Sequence, residues 1–121
     1  VPSVLVFVYG SLKRGFRHHA VLGAAQLVRE ASTAPGYRLV RYGEYPALAP
    51  DPGGSERVYG ELYWVELSDL PRLDGFEDVP ELYQRGEVTL DGGERAEAYL
   101  ISAQVAARHP PVPFGKWEER F

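Results

Sequence analysis

The run Val4-Leu5-Val6-Phe7-Val8-Tyr9, closed by Gly10-Ser11-Leu12, is apolar throughout up to the glycine and rich in β-branched residues. Without polar alternation it reads as a strand covered on both faces. The Gly-Ser turn that ends it is followed by Lys13, Arg14 and Arg17. Glycine lets several backbone N–H groups converge on one point, so a turn after a buried strand can hold an anion. It can equally be a plain strand end. The turn lacks the Gly-Lys-Ser/Thr ending of a nucleotide-binding loop. Ser11 also lacks the G-x-S-x-G setting of a hydrolase nucleophile.

Further strands are expected on both sides of short breaks. Tyr37–Tyr42 and Tyr45–Ala49 are separated by Gly43-Glu44, Val58–Glu66 mixes Tyr, Leu, Trp and Val, and Leu82–Leu90 and Arg95–Ile101 flank Asp91-Gly92-Gly93, a hairpin signal. Pro50 to Ser55 reads as a surface loop, and His109 to Pro113 as an extended segment. Phe16, Ala20, Ala24 and Leu27 recur at helical spacing and predict a helix after the first strand. A second, short helix is expected from Ser68, with Ser68 as N-cap, Asp69 favourable to the helix dipole and Pro71 in the first turn. Many strands with two helices predict an α+β fold around a mixed, strongly curved sheet.

A second candidate for chemistry is Leu73-Asp74-Gly75-Phe76-Glu77-Asp78. Leu70, Leu73 and Glu77 share one face if the helix continues, though Gly75 could break that register. A carboxylate facing the interior loses hydration, and its pKa rises. Asp74 and Asp78 would push it the same way. A Glu titrating near neutrality is a usable general base. The alternative is a solvated acidic helix end.

Composition bounds the rest. The 121 residues are one domain's worth, 1–121, and bury enough surface to need no metal or disulfide staple. A net charge of -4 argues against a nucleic-acid binder, and the absence of cysteine excludes disulfides, thiolate metal sites and thiol nucleophiles. His18 and His19 are adjacent and His109 is isolated, so no metal site is expected. No apolar run is long enough for a membrane span or signal peptide, and a soluble, cytoplasmic protein is the expectation. Residue 1 is Val rather than Met, so it is not expected to be the translated start. Eleven Arg against 2 Lys, with no Met, Cys or Asn, fits a heat-adapted source or a GC-rich genome.

Taken together, Tyr9-Gly10-Ser11-Leu12 and Leu73-Asp74-Gly75-Phe76-Glu77 resemble the γ-glutamylcyclotransferase-like family. Further matching pieces are Gly36-Tyr37, Tyr45-Pro46-Ala47-Leu48, Val58-Tyr59-Gly60-Glu61-Leu62-Tyr63, Tyr83-Gln84-Arg85 and Gly115-Lys116-Trp117. The short chain is most similar to the AIG2-like and γ-glutamylamine cyclotransferase branch. The resemblance implies a small, distorted mixed β-barrel with a few flanking helices and a cavity at one side. It implies that the α-amine of a γ-glutamyl group attacks its own γ-carbonyl, closing 5-oxoproline and releasing an amine. Glu77 would be the general acid/base, the amides of Gly10, Ser11 and Leu12 would hold the substrate's carboxylate or the developing oxyanion, and Tyr9 and Tyr83 would line the pocket. No cofactor or metal is implied, and the expected partner is a small γ-glutamyl molecule rather than nucleic acid or membrane. Two other readings are a non-catalytic module binding a small anion or γ-glutamyl ligand in the same cavity, and an interaction barrel using Trp64 and Trp117 as exposed anchors.

Overall fold

In the computed structural model, which describes residues 1–119, one mixed sheet carries the chain. Its strands are β1 (Ser3–Val8), β2 (Gln26–Ser32), β3 (Tyr37–Tyr42), β4 (Tyr45–Pro50), β5 (Tyr59–Glu66), β6 (Gln84–Thr89) and β7 (Arg95–Leu100). Along the sheet they run β2-β5-β1-β7-β4-β3, with β6 paired to β7. The path does not close on itself, so "barrel" describes this curved sheet only loosely.

β1 lies inside the sheet, antiparallel to β5 and parallel to β7. Val6 and Val8 enter one core cluster, with Leu22, Leu70, Leu73 and Tyr99, while Phe7 and Tyr9 enter another, with Leu39, Leu48, Leu62 and Trp117. Alternate side chains of one strand therefore bury on opposite faces, and that is why its sequence shows no polar alternation. Coverage is complete only from Val6 onward, for Ser3 is exposed and Val4 and Leu5 are half-buried.

β6 pairs with β7 over its whole length. The other edge of β7 is shared: Glu97 faces Val6 of β1, and Leu100 faces Leu48 of β4. β1 and β4 must part where they share that edge. The Tyr9 hydroxyl lies between them, donating to the Tyr99 carbonyl at 2.6 Å and accepting from the Leu48 N–H at 3.3 Å. Tyr9→Phe removes both of these buried hydrogen bonds. It is expected to cost about 1–3 kcal/mol of stability, read as a lower urea midpoint with an unchanged m-value.

The helix expected over Phe16–Leu27 does not form. Consecutive i to i+3 turns run from Gly10 to Ala25, with a 3₁₀ turn at His19–Leu22, and Leu27 belongs to β2. Gly23, at φ 60°, stops any continuation, since that backbone conformation lies outside a right-handed helix. β2 was not anticipated; only its last two residues are buried, so its apolar signal is weak. The second helix is corrected in detail. A 3₁₀ turn at Leu67–Asp69 precedes α1 (Leu70–Phe76), and Asp69 rather than Ser68 holds the N-cap position, its carboxylate accepting from Arg72 instead of capping a helix N–H. A further short helix, α2 (Ala103–Ala106), is capped by Ser102 Oγ, which accepts from the Val105 N–H. The hairpin at Asp91-Gly92-Gly93 forms as expected, between β6 and β7. The extended tail bridges Pro111 to Val40. No helix of the described residues is long and apolar enough to cross a membrane.

Candidate functional site

A cavity of about 280 Å³ opens where β1 and β4 part. The end of β1 and its turn supply Tyr9, Gly10, Ser11 and Leu12; the end of α1 supplies Phe76 and Glu77; Tyr83 and Tyr99 complete the far wall. The residues singled out in the sequence, separated by more than sixty positions, thus line one space.

Glu77 arrives there by a route different from the one expected. α1 stops at Phe76 with Gly75 inside it, and Glu77 is the C-cap, its N–H still bonded to the Leu73 carbonyl at 3.0 Å. Asp78 then takes a left-handed conformation, φ 54°, and turns the chain away. The Glu77 carboxyl forms no hydrogen bond or ion pair with any described residue. Burial alone lifts its pKa from 4.5 to about 7. Asp74 and Asp78 contribute nothing to this shift, contrary to expectation. The Asp74 carboxylate is neutralised locally: Arg85 donates to it at 2.9 Å and the Tyr99 hydroxyl at 2.7 Å.

The aromatic wall is chemically quiet. Burial pushes the Tyr9 phenol well up, and the charges of Tyr83 and Glu77 add to this. Burial followed by the charge of Glu77 does the same to Tyr83, whose hydroxyl donates to the Pro46 carbonyl at 2.9 Å. Both phenols are therefore fixed, protonated walls rather than proton donors to a substrate.

In the turn, the Lys13 N–H donates to the Gly10 carbonyl at 3.1 Å, and the His18 N–H donates to the Ser11 carbonyl at 3.0 Å. The N–H groups of Gly10, Ser11 and Leu12 themselves meet no acceptor among the described residues. The cationic side chains that follow the turn face elsewhere. Lys13 is buried with its ammonium donating to the Trp117 carbonyl at 2.9 Å, and Arg14 pairs with Glu61 at 3.2 Å. Neither side chain is among the residues lining the cavity.

Sequence reading missed His18, whose Nδ1 lies 3.0 Å from Ser11 Oγ on the cavity wall. It also missed the Asp74–Arg85–Tyr99 cluster that anchors α1 to β6 and β7. The only signals were adjacency to the turn and the Tyr83-Gln84-Arg85 piece of the family resemblance. Trp117 is buried and Trp64 half-exposed, so they form no paired anchor surface. Among the described residues no cluster of His, Cys, Asp or Glu could hold a metal ion.

A carboxyl whose pKa burial raises to about 7 thus lines the same aromatic cavity as the turn Gly10–Leu12. The profile of the family described as gamma-glutamyl cyclotransferase, AIG2-like, matches residues 6–119, and the chain belongs to that family. It is 46% identical over 116 residues to the human γ-glutamylaminecyclotransferase, covering 90% of this chain and 71% of that one. A Danio rerio γ-glutamylaminecyclotransferase A is 37% identical over 108 residues, covering 80% of this chain and 67% of its own length. Among solved structures, an AIG2-like protein from Mus musculus superposes with a TM-score of 0.78 at 29% identity, covering 100% of this chain and 98% of that one.

Proposed function

We propose that the chain is a γ-glutamyl cyclotransferase whose reaction takes place in this cavity. The observation that carries the reading is the Glu77 carboxyl, unpaired and raised to about 7, on the same cavity as the free amides of Gly10–Leu12. The α-amine of a γ-glutamyl substrate is protonated near neutral pH and cannot attack. Ionised Glu77 takes its proton. The freed nitrogen attacks the γ-carbonyl carbon, and a tetrahedral oxyanion forms. As the C–N bond to the leaving amine breaks, Glu77 returns its proton to that amine, then takes the second proton from the ring nitrogen and passes it on to the released amine, and 5-oxoproline departs together with an ammonium ion. The amides of Gly10, Ser11 and Leu12 hold an anionic group of the substrate or the oxyanion. Tyr9 and Tyr83 shape the pocket. Ring closure is intramolecular, so holding the folded rotamer against fixed walls supplies a large part of the rate.

A screen of γ-glutamyl amines and γ-glutamyl dipeptides for 5-oxoproline release tests this. Turnover of at least one is expected. Ligands that raise the melting temperature while none is cyclised would instead select a binding module.

A further inference from the structure

We propose that Arg85 is a positioning residue for Glu77: its fork on Asp74 fixes the stretch of chain that carries Glu77 into the cavity and keeps the Asp74 charge compensated. Arg85 itself does not line the cavity. The inference rests on the cyclotransferase reading and extends it to a residue outside the site.

α1 has 7 residues, too few to hold a direction of its own, so its end points where its contacts put it. Leu70 and Leu73 bury on its inner face. Its last turn is held by a polar contact instead. Asp74 Oδ1 accepts from Arg85 Nε at 2.9 Å and from the Tyr99 hydroxyl at 2.7 Å, and Oδ2 accepts from a second guanidinium nitrogen at 3.4 Å. Arg85 and Tyr99 are directly opposed across β6 and β7, so both donors stand on one hairpin. Glu97 accepts from the remaining guanidinium nitrogen at 3.1 Å and orients the fork. Asp74 and Arg85 are 11 positions apart, and Glu77 and Tyr83, both on the cavity wall, lie between them. The ion pair thus closes the base of the loop that carries those two residues. The same carboxylate reaches the opposite wall: Tyr99, bound to it through its hydroxyl, accepts at its carbonyl from Tyr9.

Charge gives Arg85 a second effect on Glu77. No Lys, Arg or second carboxyl lines the cavity, and the titratable groups there with Glu77 are Tyr9, His18, Tyr42, Tyr45, Tyr83 and Tyr99. The acids beside Glu77 in the chain are Asp78, exposed, and Asp74, half-buried. Water screens the first. Among the described residues, Arg85 is the cation that pairs with the second. Without it, a carboxylate three residues from Glu77 stands uncompensated, and a like charge nearby disfavours ionisation.

Arg85→Gln keeps N–H donors without the charge or the fork. On a substrate the wild type cyclises, it should lower kcat about 10- to 100-fold with KM within about threefold. The acid limb of kcat/KM should move up by about half a pH unit or more. Adding Asp74→Asn removes the stranded charge, so the limb should return to its wild-type position while kcat stays low. A kcat within about threefold of wild type in Arg85→Gln, a loss confined to KM, or an unmoved limb overturns the proposal. So does a limb that stays displaced in the double variant. Arg85→Lys covers the case in which Arg85→Gln does not fold. It keeps the charge without the fork, so the limb should stay in place and kcat should be only partly restored; full wild-type kcat there overturns the clamp. An NMR titration of the Glu77 carboxyl carbon reads the same displacement with no substrate present. A chain that cyclises nothing would sink the cyclotransferase reading, yet this titration would still decide whether Arg85 governs Glu77.

Discussion

Replacing Glu77 with Gln is expected to lower 5-oxoproline release by about 10²–10⁴-fold on any substrate the wild type cyclises, the range typical of losing a general base. The amide has nearly the same shape, and the Glu77 carboxyl has no hydrogen-bonding partner among the described residues to lose, so the fold and pocket should persist. Stability should hold or improve, because a desolvated carboxylate is a burden on the empty site. Glu81→Gln supplies the control, since Glu81 is an exposed acid nearby that does not line the cavity. The pH dependence has a definite sign. Burial raises the Glu77 pKa to about 7, so between 4.5 and 7 the folded protein holds a proton that the unfolded chain has lost. Wild-type stability therefore falls as pH rises across that window, and the Gln variant should show a flatter profile. The acid limb of kcat/KM should rise through about 7 in the wild type. Equal turnover in wild type and Glu77→Gln would remove Glu77 from the mechanism.

The second large effect is structural. Gly60→Ala in β5 is expected to destabilise the fold by about 2–3 kcal/mol or more, seen as a drop in melting temperature. A Cβ at Gly60 would run into the carbonyl oxygen of Val8 and lie 2.9 Å from Phe7 Cζ. Val8 is backbone of a strand held between two neighbours, and Phe7 is fully buried, so neither can yield cheaply. Because Val8 directly precedes Tyr9, any displacement also reaches the turn that lines the cavity. The variant should lose activity beyond what its unfolded fraction explains. A melting temperature within about one degree of wild type would show that β1 and β5 can part at no cost, contrary to the packing described above.

Much of the strand content was legible because burial on both faces and tight turns leave local marks. β1 shows as an uninterrupted apolar run, and β6 and β7 show as two runs around Asp91-Gly92-Gly93. The Phe16–Leu27 helix failed for a local reason too. Apolar spacing alone cannot outweigh a glycine at positive φ followed by a strand whose partner, β5, lies far away in sequence. β2 owes its existence to that pairing, and no local pattern announces it.

The candidate site divides in the same way. Sequence by itself determined which residue types could meet: a glycine turn after a buried strand, and a glutamate in an acidic stretch closing a short helix. Only the tertiary structure decided that these share one cavity, that Lys13 and Arg14 turn away from it, and that His18 enters its wall. It also decided the state of the acids. Asp74 and Glu77 are three residues apart in one helix end, yet Asp74 meets Arg85 and Tyr99 while the Glu77 carboxyl meets no hydrogen-bonding partner among the described residues. Desolvation and pairing depend on what the rest of the chain brings within a few ångströms, and that is set by long-range packing rather than by neighbours in sequence.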